Sequence, residues 1–306
     1  MNATNTDRGE APEPASYRVR PMRLEDVEAA VAVIDAADAV AEAERVQPPR
    51  TAPSPAQEEA QRKAHARFVE RDGPGAWVAV AGEPGDEVVG VGESIRRQDF
   101  WGLSMLFVHP AFQSRGVGGA LLQAASGYAE GARVRMIQSS ADPRAMRRYA
   151  LAGLSMHPAA ELGGAPDRRA IPASLGGRSG GTDDLELVAA VETGLGLART
   201  EDVAFCLEDD RHRLDVVDEG SRRGWVLWHP GRLVMLGASD EATAITLLWR
   251  YLGGADGAAL VYGLTSAQNW AFTVAHAARL TVRVGGAMFV DGMALPGPWI
   301  PSGWYF

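Results

Sequence analysis

The sequence predicts an α/β (α+β) fold, a mixed and mostly antiparallel sheet flanked by helices, present in two tandem copies. Three observations carry this prediction. Strand-like and helix-like apolar patterns alternate through the first half of the chain, a glycine- and proline-rich stretch interrupts it near the middle, and a segment beyond that stretch repeats one before it.

The elements follow in order. "SYRVRPM" alternates like a short strand, and "LEDVEAAVAVIDAADAVAEAERV" has helical apolar spacing. "SPAQEEAQRKAHARFVERDG" reads as a second helix, opened by Ser-Pro and closed by Gly73. "AWVAVAG", "EVVGVGESIRR" and "GLSMLFVHP" form a three-strand meander separated by Gly, Pro and Asp turns. Then come a helix in "GALLQAASGYAEG", a strand in "VRMIQSSA" and a helix in "DPRAMRRYALAGL", with Pro143 in its first turn and Gly153 at its end. A final strand pair completes the first copy, and "RRAIPASL" is a candidate for its last strand.

From Glu161 to Asp184 the chain is rich in Gly and Pro, which marks a boundary. Beyond it "DDLELVAAV" echoes "EDVEAAVAV", and "SAQNWAFTVAHAARLTV" aligns without gaps to "SADPRAMRRYALAGLSM", a shift of 126 from Ser140 to Ser266. The expected organisation is a disordered tail over residues 1–16, a first domain over 17–176 and a second over 177–306.

Composition narrows the partners. Of 306 residues, 46% are hydrophobic and 23% charged, as in a soluble globular protein. The net charge of -9 argues against nucleic acid, which needs a basic footprint. No apolar run reaches membrane-spanning length, the N-terminus lacks a signal-peptide core, and the lone Cys206 can form no internal disulfide, so a cytoplasmic location without membrane partners is expected. Six histidines scattered without metal-ligand spacing point away from a metal site.

The chemistry concentrates in "FVHPAFQSRGVGGALL". A helix there begins on Gly116, Gly118 and Gly119, although each glycine costs up to about 1 kcal/mol relative to alanine. An apolar strand, a splayed loop and a helix N-terminus converge unpaired N–H groups, and glycine lets backbone approach a phosphate. Gln113 and Arg115 can add polar contacts, so a pyrophosphate is the physically sensible ligand. The spacing matches neither a Walker loop nor a dinucleotide fingerprint.

This stretch resembles the acetyl-CoA signature of the GNAT superfamily of N-acetyltransferases, Gln/Arg-x-x-Gly-x-Gly/Ala, carried by Gln113, Gly116 and Gly118. The resemblance extends from Tyr17 to Leu175 and includes the order of elements. It implies a GNAT-like fold, acetyl-CoA as co-substrate and a small-molecule or peptide amine as acceptor. It further implies that backbone groups of Leu106, Phe107 and Val108 pair with the pantetheine arm. Amides of Gln113, Ser114, Arg115, Gly116, Val117, Gly118 and Gly119 would hold the pyrophosphate.

The resemblance also places Tyr149 where the family often has a tyrosine that protonates the departing thiolate; Leu154 replaces the more usual Phe, and Asp142 the usual Asn. The competing reading of Tyr149 is packing of an amphipathic helix, and the upstream loop favours the acid. Glu93, in "GVGESI", is the candidate general base; its alternative is a solvated outer-face residue, and alternation alone leaves the two open. His109 sits in a turn tolerant of many residues and is given no role.

At the shift of 126, Gly116, Gly118 and Tyr149 fall on Ala242, Ala244 and Ala275, so the second copy reads as a degenerate GNAT-like domain. It carries Trp225, Trp228, Trp249, Trp270, Trp299 and Trp304, mostly for packing, with "PGPWIPSGWYF" a candidate wall for an acceptor pocket. The expected activity is acetyl transfer to a primary amine by direct attack, the alternative a non-catalytic acyl-CoA-binding or interaction protein. A homodimer stays open.

Overall fold

The computed structural model describes residues 16–43, 54–82 and 87–305, so the tail expected over residues 1–16 lies, apart from Ser16, outside the described residues. No helix among the described residues is long and apolar enough to cross a membrane. The chain divides into two compact units, Met1–Gly92 with Leu106–Ala124, and Glu93–Met105 with Ala125–Phe306. Packing thus follows a different line from the two sequence copies.

The first unit begins with β1 (Tyr17–Pro21), which pairs antiparallel with β2 (Ala76–Ala81). Between them run α1 (Val27–Ala43) and α2 (Pro55–Arg71). Ser54 caps α2 as the Ser-Pro signal predicts: its hydroxyl accepts from the Gln57 amide at 3.4 Å, and Gln57 Oε1 accepts from Ser54 N–H at 2.7 Å. The start of β3 (Glu87–Arg97), the end of β4 (Phe100–Val108) and α3 (Val117–Ser126) complete this unit, with sheet order β1-β2-β3-β4. Val117 and Leu121 of α3 are buried against Ala79, Ala81 and Val89. Close approach of helix to sheet depends on Gly90, where a Cβ would stand 2.8 Å from Leu121 Cδ1.

The second unit holds β5 (Val134–Ser139), α4 (Pro143–Leu151) and β6 (Ser155–Gly164), followed by the whole second copy. That copy runs β7 (Arg178–Gly180), α5 (Leu185–Leu195), α6 (Thr200–Cys206), β8 (Arg213–Glu219), β9 (Arg222–His229), β10 (Arg232–Ala238) and α7 (Glu241–Gly254). It closes with β11 (Ala259–Leu264), α8 (Asn269–Ala277), β12 (Thr281–Asp291) and β13 (Trp299–Ile300). Two sheets result, one ordered β4-β5-β12-β6-β11 and one ordered β13-β10-β9-β8-β7. Five of the six late tryptophans are buried, as packing requires, and Trp304 is half-buried.

The last strand of the first copy departs from expectation. "RRAIPASL" supplies no strand; it holds a single 3₁₀ turn, Arg168–Ala170, and Arg168 donates to the carbonyls of Gly253 and Ala255 at the end of α7. The position between β5 and β6 is filled instead by β12, antiparallel to both, with Phe289 opposite Ile137 on one side and Met156 on the other. β6 in turn pairs with β11. Since β12 is the second copy's counterpart of β6, the copies have exchanged these strands: β12 pairs with β5 of the first copy and β6 with β11 of the second.

Repetition is legible in detail. In the first unit Arg20 donates twice to Asp26, at 2.6 and 2.8 Å, and the Asp26 carboxylate accepts from Arg23 N–H at 2.8 Å. Arg178, Asp184 and Gly181 N–H repeat this arrangement at 3.0, 2.5 and 3.0 Å, a shift of 158. In both, the carboxylate satisfies amides at a helical start while the strand's arginine neutralises it. At the shift of 126, Gly153 and Arg279 both turn left-handed at a helix end, with φ of +89° and +56°. The following amides reach back alike, Leu154 to Tyr149 and Leu280 to Ala275.

Candidate functional site

The strand end and the helix start that the glycines join lie in the first unit. His109 opens a 3₁₀ turn, Pro110–Phe112, its Nδ1 accepting from Ala111 N–H at 3.3 Å. Two left-handed residues follow, Ser114 at φ +62° and Gly116 at φ +89°, with Arg115 between them. Alternating backbone handedness splays consecutive N–H groups toward one side, the geometry of an anion-binding nest. Glycine is needed at residue 116 on two counts: the left-handed φ, and Tyr17 Oη, which would stand 3.1 Å from an added Cβ.

Hydrogen bonding narrows the expected set of amides. Gln113 N–H donates to Pro110 and Gly119 N–H to Gly116, so both ends of the predicted cradle are already in use. Among the described residues, the amides of Ser114, Arg115, Gly116, Val117 and Gly118 have no protein acceptor. They form a continuous run of five donors at the positive end of the α3 dipole. Gln113 does not project a free side chain either, since its Nε2 donates to Val108 C=O at 3.1 Å. Leu106 and Phe107 are half-buried at the end of β4, beyond Leu103, the last residue of β4 in register with β5. The Arg115 guanidinium, exposed, lies over the Phe112 ring at 5.4 Å.

The second copy shows what this loop is not needed for. Between β10 and α7 stand only Ser239 and Asp240, so the loop has been removed rather than merely stripped of glycine. Ala242 and Ala244, which an ungapped alignment sets against the glycines, lie inside the first turn of α7. Its N-terminus is closed by Asp240, which accepts from Thr243 N–H and Thr243 Oγ1, both at 2.8 Å. The edge of β10 is covered by β13, pairing Leu236 with Ile300 and Gly237 with Trp299. Arg199 fixes that cover. Buried and paired with Glu192, it donates to the carbonyls of Ile300 and Leu236 and lies over the rings of Trp225 and Trp299.

Tyr149 and Glu93 belong to the second unit and the loop to the first. Asp142 accepts from Arg144 N–H at 2.8 Å and caps α4, and Arg144 pairing holds its carboxyl below the usual carboxylate range. Tyr149 is 5% exposed, and its ring meets Phe289 of the exchanged strand edge-on at 5.5 Å. Burial pushes its phenol well above the ordinary value, with the Asp142 charge a smaller contribution in the same direction. Glu93 is fully buried, which removes the solvated outer-face reading. Its neighbours in β3 fix its face: Gly92 faces Leu121 and Ser94 Oγ donates to Ala125 C=O, so alternation directs Glu93 away from α3.

Sequence reasoning missed the Arg20–Asp26 and Arg178–Asp184 latches, although Arg-x₅-Asp recurs in "RPMRLED" and "RSGGTDD". It also missed the cover that β13 lays on β10, for which no local pattern exists.

Comparison with known proteins places this geometry. Residues 37–154 match the model of the acetyltransferase (GNAT) family. A search of curated proteins gave no match. Among solved structures, an inferred acetyltransferase from Pyrococcus horikoshii has a TM-score of 0.75 over 99% of this chain and 100% of that one, at 13% identity. A GCN5-related N-acetyltransferase from Sphaerobacter thermophilus gives 0.58 over 96% and 99%, at 16% identity. A tandem GNAT protein from the clavulanic acid biosynthesis pathway gives 0.54 over 91% and 99%, also at 16% identity. At such identities the likeness is one of fold.

Proposed function

We propose that the protein, whose residues 37–154 match the model of the acetyltransferase (GNAT) family, is an acetyl-CoA-dependent N-acetyltransferase acting on a primary amine by direct attack. The observation that carries this reading is the run of five acceptor-free amides, Ser114 to Gly118, at the start of α3. They suit the pyrophosphate of acetyl-CoA, with Arg115 adding charge and Leu106 and Phe107 offering backbone to the pantetheine arm. The domains follow the sequence copies in function, the first holding the co-substrate and the second, without loop or tyrosine, serving as scaffold.

In the reaction, the ammonium form of the acceptor loses a proton, to Glu93 or through water, and its lone pair attacks the thioester carbonyl. The zwitterionic tetrahedral intermediate gives up its surplus nitrogen proton to solvent and collapses by breaking the C–S bond, and the expelled thiolate of coenzyme A takes up a proton to become the thiol. Tyr149 keeps its proton at neutral pH because burial raises its pKa. With a phenol so much weaker as an acid than a thiol, its contribution is a hydrogen bond to the developing thiolate more than complete proton transfer.

The test is thiol release from acetyl-CoA over a panel of amines, with Tyr149→Phe as the control. The variant should lose about 10²-fold or more in kcat while binding acetyl-CoA as tightly. Tight binding with no Tyr149-dependent turnover on any amine would return the protein to the non-catalytic acyl-CoA-binding class.

A further inference from the structure

Away from the loop, the second unit contains a cavity of about 510 Å³, inside the ~300–1,000 Å³ range of small-molecule sites. Leu207, Leu214 and Trp228 give it apolar walls, and His212, Arg213 and Arg250 give it polar ones. It lies toward the C-terminal end of α7, opposite the end that Asp240 closes, and its wall includes Gly253 and Gly254.

The charges in this wall do not cancel. Asp215 is fully engaged, accepting from Arg250 at 2.5 Å and from Trp228 Nε1 at 2.8 Å. Arg213 has no such partner: its guanidinium lies over the Trp228 ring at 5.1 Å and forms no ion pair among the described residues. The helix carbonyls that would repel an anion are occupied, since Arg168 donates to those of Gly253 and Ala255. Two buried polar atoms of wall residues, Arg250 Nε and His212 Nδ1, lack any hydrogen-bond partner. Arg213 is itself exposed, so its charge is open to a ligand in the cavity it lines.

We propose that this cavity is a second ligand site, which takes a small organic monocarboxylate with an apolar body. Its carboxylate sits on the Arg213 guanidinium, and its apolar part lies against Leu207, Leu214 and Trp228. One unpaired cation suits a monoanion better than a phosphate dianion, and the leucines favour a hydrocarbon body over a fully polar ion. The site owes nothing to the acetyl-transfer chemistry and stands or falls apart from it.

Benzoate is the probe and benzamide its neutral counterpart, titrated calorimetrically into the full-length chain at low ionic strength. Benzoate should bind saturably with one-to-one stoichiometry, and benzamide at least about tenfold more weakly, the size of one charge-assisted contact. Arg213→Met, which keeps an aliphatic cover on Trp228, should weaken benzoate by about tenfold. Ser179→Trp, on the exposed edge strand at the cavity rim, should abolish binding without moving the melting temperature. Absence of saturable benzoate binding, equal affinity for benzamide, or binding unaltered in both variants would overturn the proposal. Should Arg213→Met melt early, Ser179→Trp decides alone.

Discussion

Arg97 and Asp202 form a two-pronged ion pair, Nε to Oδ2 at 2.8 Å and Nη2 to Oδ1 at 2.7 Å, with both side chains almost wholly out of water. It fastens β3 of the first copy to α6 of the second. A buried pair of this geometry adds little over a hydrophobic replacement, but removal of one partner strands the other charge. Asp202→Ala should therefore destabilise the protein by about 3–5 kcal/mol, while Arg97→Met with Asp202→Leu should cost much less. Urea unfolding of the three proteins measures both; equal losses for the single and double variants would contradict this account.

The strand exchange makes a prediction about truncation. A chain ending at Gly181 retains every helix of the first copy but lacks β12, leaving the facing edges of β5 and β6 open. It should aggregate, or show no cooperative thermal transition by circular dichroism. Co-expression with residues 182–306 should restore a soluble pair. A monomeric, cooperatively melting 1–181 fragment would show that β12 is dispensable.

The loop separates two effects of one substitution. Gly116→Ala places a Cβ on a φ of +89° and should cost about 1–2 kcal/mol in stability. It should also weaken acetyl-CoA by about tenfold or more, because the turn that directs the five amides shifts. Gly196→Ala is the control, at φ +73° with nothing within 4 Å. It should cost similar stability and leave affinity alone. Equal calorimetric affinity in both variants would sink the anion assignment.

A histidine pair sets an acid limit. Burial, with the nearby His229 second, lowers His212 to about 4. Unfolded histidine titrates near 6.5, so between that value and about 4 the unfolded chain binds the extra proton and stability falls as pH falls. The loss, on the order of 2 kcal/mol, should appear between pH 6.5 and 4.5 in urea midpoints and shrink in His212→Gln. The carboxylates held low by arginine, such as Asp209 at about 2, act only in more acid solution.

Much of the fold was legible because it is local. The meander, α3, β5 and α4 carry their own periodicity and end signals, and the shift of 126 set the second copy's α8 against α4. What failed was pairing at a distance. Nothing in "TVRVGGAMFVD" says which edges it will join, so the first copy's last strand was sought in the adjacent "RRAIPASL", where Arg168 instead serves the end of α7. The need for an unusual backbone in the loop was legible, since glycine, unlike most residues, marks it. Which of their amides are free was not, because Gln113 and Gly119 look no different in sequence from their neighbours. Glu93 lies in a strand buried along nearly its whole length, so alternation of polarity carried no information about its face.

The exchanged strand also governs how the protein must come into being. β5 ends at Ser139, and the strand that covers it does not begin until Thr281. During synthesis the first copy's sheet therefore waits, with two hydrophobic-flanked edges exposed, until nearly the whole second copy has been made. Closure over so long a separation is slow, and open edges recruit other chains in the interval. Refolding yield should accordingly fall steeply with protein concentration, and a chaperone that shields strand edges has more to do here than for either copy's length alone.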